Sequence, residues 1–257
     1  MPSAIEWTDE TWNPVTGCTR VSPGCDHCYM FAMYPRLTAM GVRGYEFDPQ
    51  EVQLLPERLH APLRWGTPRR IFVNSMSDLF HPRVPYGFVT KVFDVMCAAA
   101  TQRGHIFQVL TKRPGRAVGW WKHTQARYEG IWPAGVWIGT SVENQKYAPR
   151  IAVLAQLPAP IRFVSAEPLL GAVDLRQWLN RGSVQWVIAG GESGRAARPM
   201  DLDWARDLRD QSVNAGVAFF LKQLGGRRSK RSGDEATLDG RHWQEYPKQT
   251  KGPVHAP

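Results

Sequence analysis

Apolar and polar positions alternate along the chain in a way that predicts strands followed by helices. From Arg70 onward, short apolar runs rich in β-branched and aromatic residues are separated by longer segments with helical periodicity. The predicted strands are 71–74, 106–110, 136–139, 161–164, 186–189 and 218–221, with a seventh near 11–15. The predicted helices are 87–100, 115–122, 146–157, 175–180 and 201–214, the last with Asp201 as its N-cap. The alternation predicts an α/β fold with parallel strands, a single partial or full (βα) barrel.

Polar residues follow six of these strands at the point where the apolar run ends. The polar segments are 75–78, 111–113, 140–144, 165–168, 190–193 and 222–223. One serine or glutamate after a strand is typical of a helix cap. Six such segments at the carboxyl ends of parallel strands instead favour an active site, because these ends meet on one face of a (βα) barrel.

Length and charge divide the chain into a barrel and a basic tail. We expect one barrel domain over 1–224 and a basic C-terminal extension over 225–257. The net charge of +9 favours a polyanionic partner such as nucleic acid, although many basic proteins bind none. The residues expected to face phosphates are Arg227, Arg228, Lys230 and Arg231. The segment 29–69, rich in prolines, predicts a short helix followed by irregular structure.

No apolar run suits a signal peptide, and none approaches the roughly 20 residues of a membrane span. We therefore expect a cytoplasmic protein with no membrane partner. Its oligomeric state does not follow from the sequence.

Three of the four cysteines lie together in what we call the cysteine loop, residues 16–29. Cys18, Cys25 and Cys28 form this group, whereas Cys97 lies in an apolar run and is interpreted as a buried core thiol. In a reducing compartment such a group favours metal binding over disulfides. Structural zinc sites need four ligands, so zinc would require a ligand from elsewhere. In an iron–sulfur cubane, three thiolates leave one iron able to bind an external molecule such as S-adenosylmethionine. Both interpretations stay open on spacing alone.

Several longer motifs carry a resemblance to a known family. The motifs are IEWTDETWNPVTGC (5–18), SAEPLLG (165–171), WVIAGGESG (186–194), FFLKQ (219–223) and LDGRHW (238–243). With the cysteine loop and the βα alternation they resemble the radical S-adenosylmethionine superfamily, and more narrowly its three-cysteine-motif family carried by phages and prophages. The likeness runs nearly end to end. One departure is that six residues separate the first two cysteines, where most of the superfamily has three.

The resemblance implies a [4Fe-4S] cluster on the three cysteines and S-adenosylmethionine as the second cofactor. His27 is then placed against the adenine, and Lys112 and Arg113 against the methionyl carboxylate or a substrate phosphate. The residues implied to lie beside the methionyl amino group are Asn74, Ser75, Ser77 and Asp78. Those implied to contact the ribose are Ser141, Glu143 and Asn144. Each of these residues taken alone also fits an ordinary salt bridge or cap.

The later strand ends are expected to face the substrate through Glu167, Glu192, Lys222 and Gln223. The resemblance implies reductive cleavage of S-adenosylmethionine, with an external electron donor, and hydrogen abstraction from a substrate. We expect that substrate to be a modified nucleobase, a thymine derivative, in phage DNA hypermodification in the host cytoplasm. A second interpretation places a free nucleotide, a small metabolite or a peptide in the same barrel. A third makes the protein a zinc-stabilised nucleic-acid-binding module without catalysis.

Overall fold

The computed structural model describes residues 5–226 and 236–248, and its elements follow the predicted order. The strands are β1 (Glu10–Trp12), β2 (Val15–Thr16), β3 (Gln53–Leu54), β4 (Arg70–Val73), β5 (Ile106–Thr111), β6 (Val136–Ser141), β7 (Arg162–Ala166), β8 (Trp186–Gly190), β9 (Ala218–Gln223), β10 (Thr237–Leu238) and β11 (Arg241–His242). The α-helices are α1 (Tyr29–Ala39), α2 (Tyr86–Arg103), α3 (Pro114–Thr124), α4 (Arg150–Leu154), α5 (Arg176–Leu179) and α6 (Leu202–Asn214).

Seven strands form one parallel sheet in the order β1-β4-β5-β6-β7-β8-β9. From β4 to β9 each strand pairs with the next in the chain, so the helical connections all step in one direction around the sheet. The sheet curls into a half-barrel, and its edge strands β1 and β9 do not pair with each other in the described ranges. The prediction of a partial (βα) barrel is confirmed.

Two predicted elements differ in extent because prolines interrupt them. The first strand ends at Trp12, before Pro14, which has no backbone N–H to donate, and the next residues form β2, antiparallel to β3. The helix predicted over 146–157 is limited to α4, because Pro149 is its N-cap and a 3-10 turn, Gln145–Tyr147, precedes it. The predicted cap of α6 is confirmed, since the Asp201 carboxylate accepts a hydrogen bond from the Asp203 amide at 2.9 Å.

Aromatic side chains fill the barrel interior near the amino ends of the strands. Because side chains alternate along a strand, one set faces the helices and the other faces inward. The buried residues of this inner cluster are Trp7, Phe72, Trp137, Ile161, Phe163, Trp186, Ile188 and Phe220. With the interior filled below, the open space of the barrel lies at the carboxyl ends of the strands.

The segment 236–248 packs against the last strand of the sheet. Trp243 joins a hydrophobic cluster with Phe219, its ring centroid 6.0 Å away, and its backbone carbonyl accepts a hydrogen bond from the Leu221 amide at 2.7 Å. The basic residues predicted to face phosphates, Arg227, Arg228, Lys230 and Arg231, lie outside the described residues. Within the described residues, no helix combines the length and the apolar composition needed to cross a bilayer.

Candidate active site

A cavity of about 550 Å³ opens at the carboxyl ends of the parallel strands. Cys18, Cys25 and Cys28 all line it, so the cysteine loop and the strand ends form one site. The predicted site residues on its wall are His27, Asn74, Ser75, Ser77, Asp78, Lys112, Arg113, Ser141, Glu167, Glu192, Lys222 and Gln223. Glu143 and Asn144 follow the expected strand but are not part of the wall. The Asn144 side chain caps a turn by accepting a hydrogen bond from the Lys146 amide at 3.1 Å.

The three thiols are shielded from solvent. Cys25 is buried, and Cys18 and Cys28 are half-buried, the latter as the N-cap of α1. Burial, followed by the nearby Asp78 carboxylate, raises the pKa of Cys18 to about 11, and burial also raises the pKa of Cys28. Cys18 and Cys28 are therefore protonated at neutral pH in the protein alone, and a metal centre would displace their protons on binding.

The cysteine loop brings three candidate metal ligands to one cavity. Cys97, the remaining cysteine, lies in α2 and is not among the residues that line the cavity. Within 5–226 and 236–248, no three His, Cys, Asp or Glu side chains are grouped closely enough to bind one shared ion. A cubane spreads its thiolates over separate irons, whereas structural zinc gathers four ligands around one ion.

Asp78 anchors the first part of the cysteine loop through Arg113. The Asp78 carboxylate accepts hydrogen bonds from the Thr111 hydroxyl at 2.8 Å and from Arg113 Nη1 at 2.9 Å. Arg113 Nη2 donates to the carbonyl oxygen of Thr19 at 2.9 Å, and Nη1 lies 3.8 Å from Cys18 Sγ. The guanidinium therefore connects the ends of β4 and β5 to the loop.

His81 supports the same part of the loop as a neutral side chain. The Arg83 amide donates to His81 Nδ1 at 3.1 Å, which leaves the proton on Nε2, 2.8 Å from Thr19 Oγ1. Burial, with a further contribution from Arg113, lowers the pKa of His81 to about 4.

Glu143 anchors the middle of the loop from beneath. Its carboxylate accepts a hydrogen bond from the Ser22 hydroxyl at 2.5 Å and forms ion pairs with Lys112 at 3.3 Å and Arg150 at 3.0 Å. Burial opposes ionisation of Glu143, but Lys112, the Ser22 hydroxyl and Arg150 together keep its pKa below the usual value. A Cβ at Gly24 would lie only 2.5 Å from Glu143 Oε1, so the loop rests directly on this carboxylate.

Glu192 anchors the last part of the loop. Its Oε2 accepts hydrogen bonds from His27 Nδ1 at 2.9 Å and from Arg198 Nε at 3.0 Å, and Arg198 Nη2 lies 2.5 Å from Oε1. Arg198 Nη2 also donates to the carbonyl oxygen of Pro23 at 2.8 Å. Burial opposes ionisation, but the bonds from Arg198 and His27 lower the pKa of Glu192 to about 2.

The side chains of Lys222 and Gln223 on the wall have partners outside the loop. Lys222 Nζ lies 2.9 Å from Glu167 Oε1, and the Gln223 amide donates to the Gly191 carbonyl at 2.7 Å. Asn74 has a left-handed backbone with φ of 59° and is only 2% exposed. Both of its amide atoms are buried without a hydrogen-bond partner, which leaves a donor and an acceptor for a bound molecule.

Sequence reasoning missed four residues that hold the loop in place: Arg198, Arg150, His81 and Ser22. Arg198 lies in the connection after β8 and Arg150 is the first residue of α4, so neither directly follows a strand. Their carboxylate partners, Glu192 and Glu143, are near in sequence, whereas the Pro23 carbonyl that Arg198 also binds is distant. The only signal was indirect, since the acidic residues predicted at strand ends required cations to balance them when buried.

The chain belongs to the family described as "Protein of unknown function (DUF5131)", whose model matches residues 2–247. Nothing among the curated proteins matches it. Among solved structures, a cysteine-to-serine mutant of spore photoproduct lyase aligns with a TM-score of 0.47 and 10% identity, covering 82% of this chain and 75% of that one. Spore photoproduct lyase complexed with dinucleoside spore photoproduct aligns with a TM-score of 0.44 and 11% identity, covering 81% and 74%.

Proposed function

We propose that the protein is a radical S-adenosylmethionine enzyme whose [4Fe-4S] cluster is held by Cys18, Cys25 and Cys28. The observation that carries the proposal is the composition of the cavity wall. Three thiols, with no fourth cysteine beside them in the described residues, share one cavity with the polar ends of a parallel half-barrel. This arrangement supports a cluster with one iron left for an external ligand.

When bound, the cluster and S-adenosylmethionine supply one-electron reductive cleavage of the sulfonium and a carbon radical that removes hydrogen from the substrate. The protein's own residues contribute position and shielding. Asp78, Glu143 and Glu192 fix the cysteine loop over the strand ends. The aromatic interior of the barrel keeps water away from below.

We assign the two sides of the cavity to different ligands, one to the cofactor and the other to the substrate. Asn74, with its free amide, and its neighbours Ser75 and Ser77 lie on the wall after β4, where we place the methionyl end of the cofactor. Lys222 lies near the end of β9 and Glu167 follows β7, and we place the substrate beside these two residues.

For the substrate we favour a modified nucleobase in DNA, a thymine derivative of the kind made in phage DNA hypermodification. The net charge of +9 supports a polyanionic partner. Apolar groups on the cavity wall, among them Trp7, Phe72 and Leu110, offer surfaces on which a planar ring can rest. A base in duplex DNA would have to be flipped out, at a cost of about a few kcal/mol.

Anaerobic reconstitution of the full chain with iron and sulfide tests the reaction class. We expect a brown protein that releases 5′-deoxyadenosine only when dithionite and S-adenosylmethionine are both present. Cys28→Ser should abolish this release, whereas Cys97→Ser, the matched control, should retain it. A colourless protein with stoichiometric zinc and four protein ligands would replace the proposal with a zinc-stabilised nucleic-acid-binding module.

Two measurements test the substrate. Gel shifts with duplex and single-stranded DNA should show binding that weakens steeply with salt. Mass spectrometry of DNA nucleosides, from cells with and without the gene, should reveal a base that depends on it. Absence of salt-dependent binding, together with unchanged nucleosides, would favour a free nucleotide, small metabolite or peptide as substrate.

A further inference from the structure

Lys222 and Glu167 form an ion pair on the cavity wall that is almost fully shielded from solvent. Their side chains are 14% and 12% exposed, and Nζ of Lys222 lies 2.9 Å from Oε1 of Glu167. The contact between Nζ and Oε1 does not have the geometry of a hydrogen bond, so Glu167 Oε1 is buried without a hydrogen-bond partner. The other carboxylate oxygen, Oε2, accepts one bond from the Ser165 hydroxyl at 3.2 Å.

The other ion pairs of the site hold the cysteine loop in place, whereas this pair does not. Arg113, Lys112 and Arg198 each pair with a carboxylate that fixes the cysteine loop. Among the described residues, Glu167 is the only ion-pair partner of the Lys222 ammonium, and neither side chain forms a hydrogen bond or ion pair with the loop. The pair therefore places two opposite charges in the cavity. The Lys222 ammonium and Glu167 Oε1 can each still form a hydrogen bond with a ligand.

We propose that Lys222 and Glu167 form a subsite for a zwitterionic group, with the ammonium of the ligand on Glu167 and its carboxylate on Lys222. A ligand with one charge would satisfy one partner and leave the other as an uncompensated buried charge. A ligand with both charges replaces the internal pair by two new pairs and keeps the cavity neutral. The inference deepens the proposed function, on which it rests only for the assignment of this group to the substrate.

The surroundings of the pair suit a ligand of this kind. Gln223 uses its amide N–H on the Gly191 carbonyl, which leaves Oε1 buried and free to accept a bond from an ammonium. A Cβ at Gly190 would come within 2.9 Å of Glu167 Oε1, so the glycine keeps space beside the carboxylate. The rest of the ligand would meet the apolar wall at Trp7 and Phe72.

Three probes of matched size separate the two charges: phenylalanine, phenethylamine, which has only the ammonium, and 3-phenylpropanoate, which has only the carboxylate. Each is titrated calorimetrically into the reconstituted full chain without reductant, with and without saturating S-adenosylmethionine. We expect phenylalanine to bind at least about tenfold more tightly than either other probe, because phenylalanine makes two charged hydrogen-bonded contacts and each other probe makes one. S-Adenosylmethionine should leave this affinity unchanged.

Two single variants assign the charges to the residues. Glu167→Gln should weaken the binding of phenylalanine and phenethylamine by about tenfold. It should strengthen the binding of 3-phenylpropanoate, which then leaves no carboxylate uncompensated. Lys222→Met should weaken the binding of phenylalanine and 3-phenylpropanoate and strengthen that of phenethylamine, which then leaves no ammonium uncompensated. Arg127→Met, which removes an ion pair with Asp94 away from the cavity, is the matched control and should change none of them.

Equal affinities for the three probes, or variants without the crossed pattern, would overturn the subsite. Loss of phenylalanine binding on adding S-adenosylmethionine would also overturn it, since the pair would then belong to the cofactor. If Lys222→Met does not fold, Glu167→Gln alone decides, through the contrast between phenethylamine and 3-phenylpropanoate. Release of 5′-deoxyadenosine is measured separately, so the subsite and the proposed reaction can fail independently.

Discussion

Replacing Glu192 with glutamine should release the cysteine loop from the end of β8. The Glu192 carboxylate accepts hydrogen bonds from His27, inside the loop, and from Arg198, which in turn donates to the carbonyl of Pro23. Glutamine preserves the volume of the side chain but removes its charge. Arg198 then loses its counter-ion, and the loop loses two of its attachments.

The lowered pKa of Glu192 sets the size of the effect. Burial opposes ionisation, but Arg198 and His27 bring the pKa from 4.5 to about 2. At about 1.4 kcal/mol per pH unit, this difference corresponds to up to about 3 kcal/mol of stability. Because the pKa is lower in the folded state, this contribution is complete above about pH 4.5 and is lost as the pH falls towards 2. The difference between wild type and variant should therefore be full at pH 7 and shrink below pH 4.5.

Urea unfolding of the metal-free full chain at pH 7 measures this difference, and hydrogen exchange of amides 17–28 locates it. We expect Glu192→Gln to lose about 2 to 3 kcal/mol and to speed exchange in the loop. Glu57→Gln, which breaks an exposed pair with Arg43, is the matched control and should change stability by less than about 0.5 kcal/mol. Unchanged exchange in the loop of Glu192→Gln would refute the reasoning.

Three further substitutions probe other parts of the site. Gly24→Ala should lower the free energy of unfolding, measured with urea, by about 1 to 3 kcal/mol, because its Cβ would lie 2.5 Å from the fixed carboxylate of Glu143. Its control is Gly66→Ala, where a Cβ meets nothing within 4 Å. The pKa of His81 is about 4, lowered by burial and then by Arg113, so the stability it contributes is complete above pH 6.5 and declines as the pH falls towards 4. His81→Gln should flatten that part of the pH profile of unfolding, and an unchanged slope would contradict the assignment. Elemental analysis after reconstitution should find iron at wild-type content in Cys97→Ser and at background in a serine variant of any cysteine in the loop.

The strands were predictable because each is a short apolar run, and parallel pairing brings all their carboxyl ends to one face. This explains why residues as distant in sequence as Ser75, Lys112 and Lys222 share one cavity. The first strand and the helix after β6 were placed less well, because local prolines override the apolar pattern.

The partners of the buried acids could not be predicted. Glu143 follows β6 as expected, but its carboxylate is occupied by Ser22, Lys112 and Arg150, and only the folded chain brings these together. Arg198 lies in a connection without periodicity, so no pattern indicates that it meets the cysteine loop. Motif reasoning finds groups at strand ends, whereas the pairing of charges depends on tertiary contacts.

The most direct test of the central claim is pulsed electron–nuclear double resonance on the reduced, reconstituted protein with S-adenosylmethionine labelled at its amino nitrogen and carboxylate oxygen. We expect a [4Fe-4S]⁺ signal coupled to both labels, because three thiols leave one iron open to the cofactor. A cluster signal without coupling to either label, or a protein that holds zinc and gives no signal, would contradict it.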